Sequence, residues 1–405
     1  MRISTNTIFE RGTSQLNTLQ SNIARTQMQL STNRRMLSAA DDPIASARAL
    51  ETSQSQAVNS QYAVNRSNAR SSLGLVEQSL GSATLVLQNV QEIVTRAGNG
   101  GLNQTDRDTL ANEVQSQLDN LLGLANTSDS EGYLFSGYKS KTAPFVATAG
   151  GAQYQGDQGE RKLQVSSARQ FAISSPGSSV FESNLTGNGA QVTSANPANT
   201  GNGVISAAAA LNPSALTGHN YQITFALTGM PAATTYTVLD TVTNAPPPAL
   251  IGPQPYQSGQ PIAFDGLSLD IRNAPVAGDT FGVDPSARQS VFATLTDLVG
   301  TLRAPFGPGQ NGLTNGLTRA ADNLGSALDT VLTERATAGA RLKELDDLDT
   351  AGEDINLQYA STLSQLQDLD LVSTISKFTQ QQFTLEAAQK SFKSMSGLSL
   401  FNFIG

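Results

Sequence analysis

The two ends of this chain carry matching apolar repeats with a period of seven residues. The repeat at the start comprises Phe9, Leu16, Ile23, Leu30 and Leu37, and the repeat at the finish comprises Leu371, Phe378, Leu385 and Phe392. A strict seven-residue repeat stays on one side of a helix only when that helix supercoils around a partner. Both ends are therefore predicted to be coiled-coil helices.

A coiled-coil seam also needs a second apolar row, and in this sequence that row is mostly polar or small. It consists of Gly12, Leu19, Thr26 and Asn33 at the start, and of Ile375, Gln382 and Gln389 at the finish. Each end thus has half a seam and needs another surface to complete it. Ordering a chain costs about 1–2 kcal/mol per residue in backbone entropy. We therefore expect the ends to become ordered on assembly.

Charged residues are scarce, at 14% of the 405 residues against about 25% in an average soluble protein. Ser, Thr, Asn and Gln supply the polarity instead, which favours surfaces that associate with copies of the same chain. The chain has no cysteines, which excludes disulfides and cysteine metal sites. It also has no membrane-length apolar run and no apolar signal core near its start, so we expect no membrane partner. This pattern predicts a cytoplasmic protein, or one exported without such a signal.

The net charge of −8 hides a basic start. Glu10 is the one acidic residue among the first forty, which also hold Arg2, Arg11, Arg25, Arg34 and Arg35. These arginines are scattered, without interleaved aromatic residues that could stack on bases. Solvated helix faces explain them better than a nucleic-acid or lipid surface, so no nucleic-acid partner is expected.

Helix signals flank the middle of the chain on both sides. Asp42-Pro43 predicts a helix start, and an unbroken 3-4 apolar spacing over residues 73–94 predicts a long helix. Thr105 with Asp108 resembles a capping box for the next helix. Asp284-Pro285 repeats the helix-start chemistry, and Leu324, Val331, Ala338 and Leu345 then keep heptad spacing.

Between these helices the sequence is β-like. Short alternating stretches over residues 132–182 and 221–271 predict strands. Residues 186–203 have the composition of a low-complexity linker, and the proline-rich stretch 246–261 predicts an exposed loop. The layout is therefore nested, with helices outside and strands inside.

Several local motifs resemble the flagellin superfamily, and within it the branch that joins hook and filament. They are Leu30-Ser31-Thr32-Asn33-Arg34-Arg35-Met36-Leu37-Ser38-Ala39-Ala40-Asp41-Asp42-Pro43, Tyr133-Leu134-Phe135-Ser136-Gly137, residues 264–281, and the end Ser399-Leu400-Phe401-Asn402-Phe403-Ile404-Gly405. Each motif is modestly specific, whereas their order and spacing together are typical of the family.

The layout and the resemblance predict an α+β fold. We expect long, coiled-coil-like terminal helices packed together, a mixed helical and β domain, and an inserted β-rich domain. The expected boundaries are an N-terminal assembly helix at 1–42, a core at 43–185 and 285–364, an inserted β domain at 186–284, and a C-terminal assembly helix at 365–405.

The resemblance implies a structural adaptor of the extracellular bacterial flagellum, between hook and filament. The implied partners are other copies of the chain in a ring, hook-associated protein 1, flagellin, and the flagellar type III export apparatus with its chaperone. The candidate assembly residues are Phe9, Leu16, Leu19, Ile23, Leu30, Leu37, Leu371, Ile375, Phe378, Leu385, Phe392, Leu400, Phe401 and Phe403.

Two other functions are compatible with parts of the sequence. The chain could be a flagellin-type filament subunit, although the motif at 133–137 and the Phe-rich end favour the junction branch. An enzyme or adhesin could instead reside in the β region. Glycan or protein binding by residues 186–284 would distinguish that function from an adaptor.

The chemistry-bearing residues favour no catalytic, metal or cofactor site. Residues 307–312 match a dinucleotide-binding spacing, but they follow a helix rather than a strand, and Pro308 removes an amide that would face phosphate. His219 is the only histidine, lies among turn residues, and has no evident base partner. The acidic residues at 346–354 lack a calcium-loop pattern and are better explained as a solvated helix end.

Our first prediction concerns the free chain. Because each end has half a seam, residues 1–40 and about 365–405 should exchange their amide hydrogens rapidly in a dilute monomer. Hydrogen exchange followed by mass spectrometry measures this directly. Strong protection of both ends in dilute solution would contradict the half-seam interpretation.

Overall fold

A computed structural model describes residues 5–243, 250–305 and 311–401 of the chain. The α-helices are α1 (Thr5–Thr32), α2 (Pro43–Ala97), α3 (Gln104–Ala125), α4 (Val291–Arg303), α5 (Asn311–Gln367) and α6 (Leu371–Phe401). The terminal helices predicted from the seven-residue repeats are present as α1 and α6, and they pack against each other.

The starts of the inner helices follow side-chain capping. Asp42 Oδ1 accepts a hydrogen bond from Ala45 N at 3.0 Å, which confirms the predicted start of α2. The predicted capping box of α3 was wrong by two residues. The box is formed by Asn103 and Asp106, each side chain accepting from the other's backbone amide, because Asn103 is the better N-cap residue.

The predicted helix start at Asp284-Pro285 was also wrong. Both residues end a strand, and α4 begins later, where Ser290 Oγ accepts from Phe292 N at 3.2 Å. Aspartate before proline caps a helix only if the chain turns there. In this chain strand pairing keeps it extended, with Asp284 opposite Val192.

The strands lie between α3 and α4. They are β1 (Phe145–Thr148), β2 (Gly151–Tyr154), β3 (Lys162–Ser166), β4 (Arg169–Ala172), β5 (Asn184–Leu185), β6 (Gln191–Ala195), β7 (Val204–Ile205), β8 (Ala209–Ala210), β9 (Tyr221–Thr228), β10 (Ala233–Asp240), β11 (Ile251–Pro255), β12 (Pro261–Phe264), β13 (Leu267–Arg272), β14 (Thr280–Pro285) and β15 (Arg288–Gln289).

The strands form small antiparallel sheets. The largest has the order β11-β10-β9-β14-β6, and a second has the order β12-β13-β7, with β8 also pairing with β13. The pairs β1–β2, β3–β4 and β5–β15 are separate two-stranded ribbons. The first and last strands of the five-stranded sheet along the chain, β6 and β14, pair side by side, with Gln191 opposite Pro285.

The predicted linker at 186–203 was wrong, because this segment contains β6 and is partly buried. Its small residues serve close packing rather than flexibility. The buried Asp279 carboxylate accepts from Thr200 N at 2.9 Å, and a Cβ on Gly201 would lie 2.3 Å from Asp279 Oδ2. Composition alone cannot distinguish small residues that pack from small residues that move.

The predicted loop at 246–261 was only partly correct. Residues 251–255 form β11, an edge strand of the five-stranded sheet, whose side chains are mostly exposed. Proline is compatible with a strand only where its missing amide would face away from the sheet. Residues 246–249 of the predicted loop lie outside the described residues.

Two apolar cores share no residue. The first contains buried side chains from α2, α3, α4 and α5, with a cluster of Phe135, Phe145, Phe181 and Phe292. The heptad residues Leu324, Val331, Ala338 and Leu345 of α5 are buried, as predicted. The second core lies entirely within residues 205–283 and includes Tyr221, Phe225, Phe264 and Phe281.

The chain divides into two compact units. One comprises the described residues of Met1–Val64 and Asp347–Gly405, and the other comprises Asn65–Asp346. Helices α2 and α5 each contribute residues to both units. The finer domain boundaries predicted from the sequence remain a prediction.

The second prediction follows from the two separate cores. Deleting residues 190–283 and bridging the ends with a short Gly-Ser linker removes the whole second core and no residue of the first. The ends to be joined are neighbours, since β6 pairs with β14. We expect the helical part to keep its cooperative thermal transition, followed by circular dichroism. Loss of that transition would show that the two cores fold as one.

Candidate assembly surface

Helices α1 and α6 complete each other's half-seam through an aromatic contact with a glycine. The rings of Phe9 and Phe392 lie 5.1 Å apart, centroid to centroid. The ring of Phe392 also covers Gly12, where an added Cβ would lie 2.7 Å from two ring carbons. Gly12, which interrupts the second apolar row in the sequence, therefore leaves the space that the Phe392 ring occupies.

A buried polar contact lies further along the same seam. Thr26 is almost fully buried, and its hydroxyl donates to Gln381 Oε1 at 3.0 Å. The Thr26 hydroxyl also lies 2.9 Å from Asn22 O within α1. A polar pair at a seam position favours one register, because any slip separates the Thr26 hydroxyl from Gln381 Oε1. The polar second row thus fixes how α1 and α6 align.

The second row of α6 lies one residue earlier than predicted. The half-buried positions of this helix follow a 3-4 spacing: Thr374, Phe378, Gln381, Leu385, Ala388 and Phe392. Ile375, which the sequence analysis placed in that row, is 53% exposed. Ile375 is more apolar than its neighbour Thr374, but the register with α1 places the small and polar residues Thr374, Gln381 and Ala388 in the seam.

The turn between α1 and α2 is held by side-chain hydrogen bonds, and we name residues 33–42 the corner. Asn33 adopts a positive φ of 51°, which ends α1 and which asparagine tolerates better than most residues. Asp41 Oδ2 accepts from Leu37 N at 2.9 Å and from Ser38 N at 3.0 Å. Its Oδ1 accepts from Arg25 at 2.6 Å, so the corner is tied back to α1.

These contacts determine the charge state of the corner. The Leu37 and Ser38 amides, and then the guanidinium of Arg25, hold the pKa of Asp41 below its usual value, while burial opposes them. Asp41 is therefore ionised at neutral pH, and the corner holds an anion matched to two amides and one cation.

The corner is also joined to the turn between α5 and α6. Arg35 N donates to Gln367 O at 2.8 Å, and the Arg35 guanidinium donates to Leu366 O at 3.0 Å. Arg34 forms an isolated β-bridge with Asp368. Asp370 then starts α6 by accepting from Ser373 N at 3.1 Å. Both terminal helices are thus connected to the same pair of inner helices by one hydrogen-bonded junction.

The candidate assembly residues take different positions. Half-buried in this chain are Leu16, Leu19, Ile23, Leu30, Leu37, Phe378, Leu385 and Phe392. Phe9, Leu371 and Ile375 are exposed, although Phe9 also contacts Phe392. Phe403 and the side chains of Leu400 and Phe401 lie outside what the structure describes. The contacts of these residues with neighbouring molecules remain a prediction.

A second apolar row, missed in the sequence analysis, lies on the outer side of α6. Val372 is 83% exposed and Phe383 is 69% exposed, and Ile375 lies between them. Met28 and Met395 add exposed apolar surface on α1 and α6. The spacing of Val372, Ile375, Thr379 and Phe383 was visible in the sequence, but the stronger seven-residue repeat concealed it. We name Val372, Ile375 and Phe383 the outer row.

His219 does have an acidic partner, contrary to the sequence analysis, since its Nδ1 lies 2.7 Å from Asp240 Oδ2. Burial alone would raise the pKa of Asp240, but hydrogen bonds from Thr243, Val242 and His219 lower it well below its usual value. The pair therefore joins the 217–220 loop to the turn after β10.

A cavity of about 670 Å³ lies between strands β6 and β14 and helix α5. Its described lining is rich in amide and hydroxyl groups, such as Asn196 and Gln222, and includes no acidic residue or histidine. The described residues contain no cluster of three potential metal ligands. None of their helices combines the length and apolar character needed to cross a bilayer. Residues 307–310 of the predicted loop lie outside the described ranges.

Comparison with known proteins gives related sequences over the full length. Residues 3–140 match the bacterial flagellin N-terminal helical region. The chain is 30% identical over 405 residues to flagellar hook-associated protein 3 of Escherichia coli (strain K12), covering 99% of both chains. It is also 30% identical over 406 residues to flagellar hook-associated protein 3 of Salmonella typhimurium (strain LT2), again covering 99% of both.

Solved structures share the fold. Flagellar hook-associated protein-3 from Legionella pneumophila has a TM-score of 0.74 and 32% identity, covering 78% of this chain and 98% of that one. The flagellar junction protein FlgL from Legionella pneumophila has a TM-score of 0.70 and 31% identity, covering 79% of this chain and 100% of that one. FlgL from Xanthomonas campestris has a TM-score of 0.71 and 28% identity, covering 77% of this chain and 99% of that one. The predicted α+β fold class is confirmed.

The third prediction concerns the acid sensitivity of the corner. Because the pKa of Asp41 is lowered on folding, its stabilising contribution is complete above the unfolded value of about 3.9 and is lost as pH falls through the lower folded value. We expect an NMR titration to place the pKa of the Asp41 carboxyl below that value.

Arg25→Gln separates the two causes of this shift. The backbone amides contribute more than the arginine, so most of the lowering of the Asp41 pKa should persist in this variant. A return of Asp41 to its ordinary pKa in Arg25→Gln would show that the ion pair, and not the turn, holds the corner.

Proposed function

The chain belongs to the flagellar hook-associated protein 3 family, and on that premise we propose that it is the structural subunit joining the flagellar hook to the flagellin filament. Its role is mechanical, since one subunit must match two different neighbours. The relatives are flagellar proteins by name. We propose assembly rather than catalysis as the activity.

The observation that carries this proposal is the outer row beside a completed seam. The inner side of α6 is occupied by α1, through Phe392 on Gly12 and Phe9. The outer side leaves Val372, Ile375 and Phe383 in water. Grouped apolar side chains on a surface mark protein contacts, because burying each contributes about 1.5–3 kcal/mol. Pairing of α1 with α6 thus leaves one apolar side of α6 unused.

The proposed partners of that side are other copies of the chain in a ring. Hook-associated protein 1 adjoins the ring towards the hook, and flagellin adjoins it towards the filament. The position is extracellular, so the chain passes through the flagellar type III export apparatus, with an export chaperone covering its apolar ends beforehand. The absence of cysteines suits passage as an unfolded chain. A filament subunit remains the alternative.

The fourth prediction compares the same Phe→Ala change at two positions of α6, one in the seam and one in the outer row. Phe392→Ala removes a half-buried ring that packs on α1, and Phe383→Ala removes an exposed ring on the other side. A fully packed Phe→Ala change costs about 3–5 kcal/mol, so about 2 kcal/mol is expected for Phe392. Phe392→Ala should therefore destabilise the pairing of α1 with α6 and leave the thermal transition of the helical core unchanged.

Both variants should fail in the cell, but for different reasons. We expect each to be exported and to let flagellin escape into the medium, measured by immunoblotting of culture supernatants. Under conditions where the wild-type seam is protected, hydrogen exchange in α1 should accelerate in Phe392→Ala only. Ser391→Ala, on an exposed position of the same helix, is the control and should support normal filaments. Normal filaments with Phe383→Ala would show that assembly does not depend on the outer row.

A further inference from the structure

Strand β11 forms one edge of the five-stranded sheet, and its outer side is open. Among the described residues, no strand pairs with β11 on the side away from β10. The side chains of residues 252–255 are exposed. An edge strand of this kind presents unpaired backbone groups that can template a further strand. Such an edge would normally be a site of association between copies.

Near its end, the backbone of β11 alternates between the side that faces β10 and the outer side; before Gln254 the register of the ladder shifts. Tyr256 N donates to Thr234 O at 2.9 Å, and Gln254 lies opposite Tyr236 in the ladder. The amides of residues 254 and 256 therefore face β10. The position between them, Pro255, therefore faces outwards, and Pro253 lies where the register shifts. Neither proline has an N–H. At these positions the outer edge can accept hydrogen bonds but cannot donate them.

We propose that Pro253 and Pro255 close this sheet edge against strand addition by a second copy of the chain. An added antiparallel strand needs donors and acceptors from both partners, and it would leave its own carbonyls unpaired opposite the two prolines. The proposal rests on the sheet alone. Given the proposed ring, it also means that the β regions of neighbouring copies do not join into one sheet, although assembly holds them at a high local concentration.

The strand itself does not depend on the prolines for its position. Tyr256, which follows β11 directly, packs edge-on against Phe225 at 5.1 Å between ring centroids. Its hydroxyl donates towards the carbonyls of Ile271 and Asn273, at 2.9 and 2.8 Å. This anchor in the second core should hold β11 on β10 when the prolines are replaced.

The experiment restores the two missing donors in the full chain. Pro253→Thr with Pro255→Thr introduces β-favouring residues that carry backbone amides, and the amide of residue 255 faces outwards. We expect the purified double variant to shift from monomer to dimer with rising concentration in sedimentation velocity runs. The amides of residues 253 and 255 should then become protected from exchange at high concentration only. The wild-type chain should stay monomeric over the same range.

Two further variants keep the test decisive. Pro213→Ser replaces an exposed proline outside the sheet and should not change the oligomeric state. Pro255→Thr alone restores one donor and should give weaker, but still concentration-dependent, association if the double variant loosens β11. A double variant that stays monomeric while the Gln254 and Tyr256 amides remain protected would overturn the proposal.

Discussion

The contact of Phe392 with Gly12 and Phe9 is the interaction on which the terminal part of the molecule depends. It lets two weak helices form one pair, because a large ring on α6 fits a position on α1 that has no side chain. Thr26 and Gln381 then fix the register of the pair. Once α1 is paired in this way, the outer side of α6 remains exposed. The polar half of the seam therefore specifies alignment, and the apolar half supplies most of the attraction.

Much of this fold was predictable because its periodic signals are long. The heptads of α1 and α5 and the 3-4 spacing of α2 give the right helices, since a repeat over several turns has few alternative explanations. The Asp42 cap was predictable for a different reason, because its chemistry is local. The errors arose where tertiary pairing decided the outcome. Asp284-Pro285 is extended because of β6, and residues 186–203 are ordered because of Asp279.

The assembly surface was predictable only in part. The seven-residue rows identify which helices pair, but Thr374 rather than Ile375 enters the seam, because register is decided by the partner helix and not by hydrophobicity. The corner at 33–42 was recognised as a family motif without its physical cause. That cause is the Asp41 carboxylate, which binds two amides and an arginine, and the positive φ of Asn33. A sequence lists such residues but does not show that they converge.

The paired strands β6 and β14 have an evolutionary consequence. The chain enters and leaves the second core through neighbouring backbones, joined by hydrogen bonds that any sequence can make. The first core contributes no residue to the second. Recombination within this gene could therefore replace the whole segment between the two strands in one step, and the first core would be inherited unchanged.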